Sequence, residues 1–183
     1  MRLFVLLSLF LMLPALASAQ DQRYASLSEG TEDAVRQHFE HMEAVLADRM
    51  DYESLIGFFH RTIDDNAMFE MRVQNPALPQ AVNGQSFSMS KQDYINSYLI
   101  GSAGVRDYAV SVRPVSIQTQ GNTVQTREII SERGYVVSTP DQAALPQYFE
   151  SRTTCQSVRD VVGRNIKLLE SRCDTVVSME SSI

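Results

Sequence analysis

The chain has 183 residues, 16 basic and 22 acidic, for a formal net charge of −6, and it carries two cysteines and three histidines. With no basic run, that balance excludes the clustered Lys and Arg that nucleic acid or an anionic membrane surface requires. No CxxC or His–Cys spacing supports zinc.

The N-terminus has the three parts of a secretory signal. Arg2 supplies the positive region, Leu3 to Leu13 is an apolar run interrupted only by Ser8, and Ala17-Ser18-Ala19 follows Pro14 as a small-residue cleavage site. The run is shorter than the roughly 20 apolar residues that span a bilayer. We therefore read residues 1–19 as a cleaved signal and the remainder as a periplasmic or secreted protein, not embedded in a membrane after cleavage. Loss of Arg2 leaves 15 basic against 22 acidic residues, about −7. The remaining length suits one domain with its own core.

Residues 20–30 read as a loose polar leader. A first helix is predicted from Thr31 to Arg49, with Thr31 as N-cap and Val35, Phe39, Met42, Val45 and Leu46 on one stripe. Asp51 caps a second helix carrying Leu55, Ile56, Phe58 and Phe59, which ends near residues 61–64. Asp64-Asp65-Asn66 is turn chemistry and leads into a strand from Ala67 to Val73. Residues 74–88 hold Pro76, Pro79, Asn83 and Gly84 and read as a loop with a short extended piece. Ser90 and Asp93 form a capping arrangement for a third helix ending near Ile100.

From Val105 the apolar period changes from 3.6 to 2. Pro114 interrupts the alternation, which predicts a bulge at Arg113-Pro114. Gly121-Asn122 signals a tight hairpin with a return strand over residues 123–137. Residues 138–146 form a connection, and a second hairpin runs over 147–162 and 166–178 around a three-residue loop at 163–165. The tail covers 179–183. This register sets Cys155 directly opposite Cys173, within disulfide reach, and an exported chain favours the bond.

The order helix–helix–strand–helix–strand–strand–strand–strand over residues 31–178 resembles the nuclear transport factor 2-like superfamily, also called SnoaL-like or ketosteroid-isomerase-like. So does the stretch Phe58-Phe59-His60-Arg61-Thr62-Ile63-Asp64-Asp65-Asn66-Ala67-Met68-Phe69-Glu70, and so does Lys91-Gln92-Asp93-Tyr94-Ile95. The resemblance implies an α+β cone: a curved antiparallel sheet with three N-terminal helices on its concave face and a partly apolar pocket between. Its members include isomerases, dehydratases, cyclases, ligand-binding proteins and interaction modules.

The resemblance makes Glu70 the catalytic candidate, at the position of a proton-abstracting acid. An offset of one residue turns it to the other face, where it would meet solvent or Arg72. His38, Tyr94 and Tyr98 are candidate ligand-binding residues. His38 borders the apolar stripe, and the two tyrosines share a helix face whose other reading is core packing. His41 and His60 complete the histidines, with no spacing that gathers a metal. Asp64 and Asp65 read as turn residues. The facing of Glu128, Glu132, Glu150 and Arg152 is left open, because the bulge shifts strand parity.

The sequence therefore predicts an exported small-ligand-binding or protein-interaction module without demonstrable catalysis and without a cofactor. Its expected ligand is a small apolar molecule, and its sheet could form a homodimer. The alternative is a cofactor-independent isomerase, dehydratase or cyclase using Glu70.

Overall fold

The computed structural model describes residues 13–48, 51–75, 80, 83–136, 146–163 and 165–181, with side chains described from Gly30 onward. Expectations for Arg2, the apolar run through residue 12, Arg49, Pro76, Pro79, the 138–145 connection and residues 182–183 lie outside the described residues. Three helices and six strands follow in chain order: α1 (Leu13–Ala47), α2 (Tyr52–Thr62), β1 (Ile63–Gln74), β2 (Ser86–Ser90), α3 (Lys91–Ser102), β3 (Val105–Gln120), β4 (Thr123–Val136), β5 (Gln147–Val162) and β6 (Asn165–Ser181).

The helix signals act as the sequence predicts for α2 and α3. Asp51 accepts from the Ser54 backbone N–H, and Ser90 and Asp93 form a reciprocal capping box, which satisfies N–H groups the first turn leaves open. For α1 the start differs. The helix runs unbroken through residues 20–30, the expected loose leader, and Thr31 lies inside it rather than at its cap. From Ala15 to Glu29 there is no proline or glycine to stop it, and the stretch is rich in Ala, Ser, Gln and Leu.

The strands form one six-stranded sheet in the order β2-β1-β6-β5-β4-β3, curled but not closed. The sheet is mixed, not antiparallel throughout, because β1 pairs with β6 in parallel. These two strands are far apart in the chain, so no hairpin imposes an antiparallel pairing on them. The third helix follows the first strand as the predicted order has it, with the short β2 between them. Asp64-Asp65-Asn66 belongs to β1, where the register shifts between Ile63 and Met68. The turn chemistry survives inside the strand, as Asp64 accepts from the Asn66 N–H at 3.0 Å. The expected bulge lies between Pro114 and Ser116. At the first hairpin Gln120 pairs with Thr123, and Gly121 takes the positive φ (61°) that a tight turn needs.

Alternation along β5 buries Ser151, Thr153, Cys155, Ser157, Arg159 and Val161 on one face, the inner face. Val35, Phe39, Leu55, Phe58, Phe59 and Ile95 from the helices share one core with Phe69, Val112, Val124, Val161 and Ile166 from the strands. Lys91 joins α3 to the α2–β1 corner. Its Nζ donates to the His60 carbonyl (3.2 Å), the Ile63 carbonyl (2.8 Å) and Asp65 Oδ1 (2.8 Å), and the residue is only 7% exposed. The Lys91→Met variant leaves the buried Ile63 carbonyl without this donor. We expect it to lose about 1–3 kcal/mol in urea unfolding; a change under about 0.5 kcal/mol would contradict the role.

Cys155 and Cys173 form a disulfide with a Cα–Cα distance of 4.1 Å and pair directly in the β5–β6 ladder. The pairing matches the sequence expectation by a different route. Val162 pairs with Asn165, which leaves two residues between the strands rather than three. A shift between Val158 and Arg159 then adds one residue on β6 and restores the register at the cysteines.

Candidate functional site

Two polar regions stand out, one sealed inside the core and one open. The sealed one lies on the inner face of β4, β5 and β6. Thr126 and Glu128 alternate on β4, and the ladder sets Thr126 opposite Ser157 and Glu128 opposite Cys155. Both Glu128 oxygens are engaged. Oε1 accepts from Ser157 Oγ (2.6 Å) and Arg159 Nη2 (2.9 Å), and Oε2 accepts from Thr126 Oγ1 (2.7 Å). Arg159 also donates to Thr126 Oγ1 and places its guanidinium 4.7 Å from the centre of the Phe39 ring. Ser171 extends the network from Ser157 (2.8 Å) to Cys173 Sγ (3.2 Å). The side chains of Arg159 and Glu128 are 4% and 3% exposed. A carboxylate so fully bonded is held in place. Further along β4, Glu132 accepts from Tyr108 (2.5 Å) and Ser151 (2.9 Å).

An aromatic chain links the helices to β1. His38 stacks on Phe58 at 5.8 Å and His41 meets the same ring edge-on at 5.3 Å. Phe58 touches Phe59, Phe59 touches Tyr94 and Tyr98, and Tyr94 stacks flat on Phe69 at 4.2 Å. Burial, reinforced by Tyr98 and the Glu132 and Glu128 carboxylates, pushes the Tyr94 hydroxyl above its ordinary range. Tyr94 and Tyr98 thus sit in the aromatic core against Phe59, and neither is among the residues that line the open region.

The open region is a cleft of about 880 Å³ between α1, the last turn of α2, the start of β1 and the β5–β6 hairpin. From α1 come Gln37, His38 and His41; from α2, His60 and Arg61; from the strands, Asp64, Asp160 and Lys167. All three histidines of the chain therefore line one cleft, which no local spacing foretells. Lys167 lies 3.9 Å from Asp64. Among the described residues no group of three His, Cys, Asp or Glu side chains could hold a metal ion.

His38 is held neutral. Burial, then the nearby Arg159 charge and His41, lowers its pKa from 6.5 to about 4. A folded pKa below the unfolded one means that the unfolded chain binds the proton first as pH falls. Stability is therefore full above about pH 6.5 and declines towards pH 4. At about 1.4 kcal/mol per unit, and with one edge of the ring open to the cleft, the loss is about 2 kcal/mol. Urea unfolding of the His38→Gln variant between pH 7 and 4 should show that much less decline than the parent; equal slopes would contradict it.

The predicted set does not converge. Glu70 lies on the outer face, its side chain 51% exposed and 3.6 Å from Arg172. Phe69 takes the inward position in β1, so strand alternation turns Glu70 away from the pocket, to the second of the two faces the sequence leaves open. Glu150 and Arg152 also face out, whereas Glu128 and Glu132 face in. Arg159, Thr126, Ser157 and Ser171 are not singled out by the sequence. Their signal is the alternation Thr-x-Glu on β4 and Ser-x-Arg on β5, which gains meaning only once the β4–β5 register is known.

No protein-family model and no curated protein matches the sequence. Solved structures do. A conserved protein from Planctomyces limnophilus aligns with a TM-score of 0.56 at 13% identity, over 83% of this chain and 99% of that one. A hexachlorocyclohexane dehydrochlorinase (LinA) of type 2 aligns at 0.56 with 7% identity, over 84% and 90%. A scytalone dehydratase-like protein from Novosphingobium aromaticivorans aligns at 0.52 with 8% identity, over 90% and 92%. At these identities the likeness concerns the fold, and the fold is nuclear transport factor 2-like.

Proposed function

We propose that this nuclear transport factor 2-like chain is an exported domain that binds a small molecule in the histidine-lined cleft and does not catalyse a reaction. The observation that carries this reading is the contrast between the two polar regions. The inner carboxylate is spent on Arg159, Thr126 and Ser157, while the cleft is open and within the volume range of small-molecule sites. Glu70, the residue an enzymatic reading requires, lies outside the pocket.

Export draws its support from the N-terminal signal pattern and from the Cys155–Cys173 bond, which suits an oxidising compartment. No helix among the described residues is long and apolar enough to cross a membrane. Among the described residues the outer face carries Arg127, Gln156, Glu170 and Arg172 together with the exposed apolar Met68 and Val176. Native mass spectrometry of the protein purified from its own envelope tests the proposal. A retained small-molecule mass on the processed chain is expected. A bare mass, with turnover of a supplied substrate, would overturn it.

A further inference from the structure

The cleft described above is charged in an unusual way, and its chemistry narrows the ligand. It presents two cations, Arg61 and Lys167, and two carboxylates, Asp64 and Asp160. Lys167 and Asp64 stand 3.9 Å apart and partly neutralise each other. Among the described residues, no hydrogen bond or ion pair engages the Arg61 guanidinium or the Asp160 carboxylate.

Arg61 is in the last turn of α2, and Gly57, one turn earlier, gives its guanidinium room: a Cβ there would stand 3.1 Å from Arg61 Nη1. Asp160 is in the β5 ladder opposite Lys167 and is partly buried. Two opposite charges left unengaged in one cleft ask for a ligand that brings both complements.

A simple anion fits this less well. The whole chain is negative, the formal lining charge is zero with the imidazoles neutral, and Asp160 would repel a carboxylate placed alone. A simple cation would leave Arg61 unmatched. An apolar molecule, the ligand class the sequence suggests, would cover four charged groups and strip their water without replacing it.

We propose that the cleft binds a small zwitterion of the α-amino-acid type, its carboxylate on Arg61 and its ammonium on Asp160. A planar guanidinium accepts a carboxylate through two parallel N–H donors. Lys167 and Asp64, 3.9 Å apart, form a second charged pair in the same cleft. The imidazoles of His38, His41 and His60 line the space left for the ligand's side chain. This inference rests on the reading of the cleft as the binding site.

The three histidines give a direct readout, since every imidazole of the chain lines this cleft. Proton NMR of the processed protein is recorded while each of the twenty protein amino acids and glycine betaine is added. For the tightest binder, its amide (a cation) and its deaminated acid (an anion) serve as matched controls. The proposal expects saturable shifts of the imidazole Hε1 signals with at least one zwitterion. Both controls should bind at least about tenfold more weakly. Arg61→Gln and Asp160→Asn should each weaken binding about tenfold with an unchanged thermal midpoint, and Arg61→Lys should recover part of the loss.

Equal binding of either matched control overturns the zwitterion and leaves the cleft as a binding site. The same holds if the zwitterions fail while a retained natural ligand shifts the imidazole signals. If zwitterions bind without moving any imidazole signal, the cleft is the wrong place. If neither the zwitterions nor a retained ligand moves them, both the zwitterion and the binding-site reading fail.

Discussion

Arg159→Met is expected to lower the unfolding free energy by about 3–5 kcal/mol. The substitution removes the counter-charge of a carboxylate that is 3% exposed and cannot turn to water. Thr126 and Ser157 would still donate to Glu128, but two neutral hydroxyls do not replace a guanidinium. Phe39 also loses the cation packed on its ring. The companion variant, Glu128→Leu with Arg159→Met, removes both charges and should recover much of the loss, because a buried ion pair exchanged for apolar side chains of similar volume is often close to neutral. Urea unfolding at pH 7 with an unchanged denaturant slope checks both. A single variant that loses less than about 1 kcal/mol would show Glu128 to be hydrated rather than sealed.

The disulfide carries the second large effect. Cys155 and Cys173 are separated by 18 positions, and cross-linking a loop of that length contributes roughly 3 kcal/mol by restricting the unfolded chain. Both cysteines are buried, at 3% and 8% exposure. The Cys155→Ala/Cys173→Ala double variant leaves no free thiol, and Ser171, which loses its contact with Cys173 Sγ, keeps Ser157 as a partner. It should be less stable by about 3 kcal/mol in denaturant unfolding. Alkylation of the unreduced, unfolded parent should add no mass. Labelling of two thiols, or a double variant as stable as the parent, would remove the bond from the account.

Local patterns carry much of the architecture. Asp51 and the Ser90–Asp93 pair mark their helix starts because capping is decided within three or four residues. Gly121-Asn122 marks its hairpin for the same reason. The start of α1 escapes local reading because Gly30-Thr31 has the signature of a helix boundary, yet the helix runs through it. The β5–β6 loop is one residue shorter than the sequence suggests, and a bulge beyond Val158 hides the difference at the cysteines.

The candidate site is less legible. Glu70 can be placed on a strand but not on a face, since one residue of register reverses the direction of every side chain. The Glu128–Arg159 pair depends on how β4 meets β5 across a long connection, which no turn chemistry fixes. The cleft gathers His38, His60, Asp160 and Lys167 from four elements, and only the closed fold brings them together. Residue types are readable as chemistry; their convergence is not.

The most direct test fills the cleft. Ala34 lies on its α1 wall, and Ala34→Trp would occupy the space with an indole ring. Native mass spectrometry of parent and variant, both purified from the native source, compares their bound masses. The account predicts a small-molecule adduct on the parent and its loss from the variant, with thermal unfolding little changed. An adduct retained by a folded Ala34→Trp protein would place the ligand elsewhere and contradict the account.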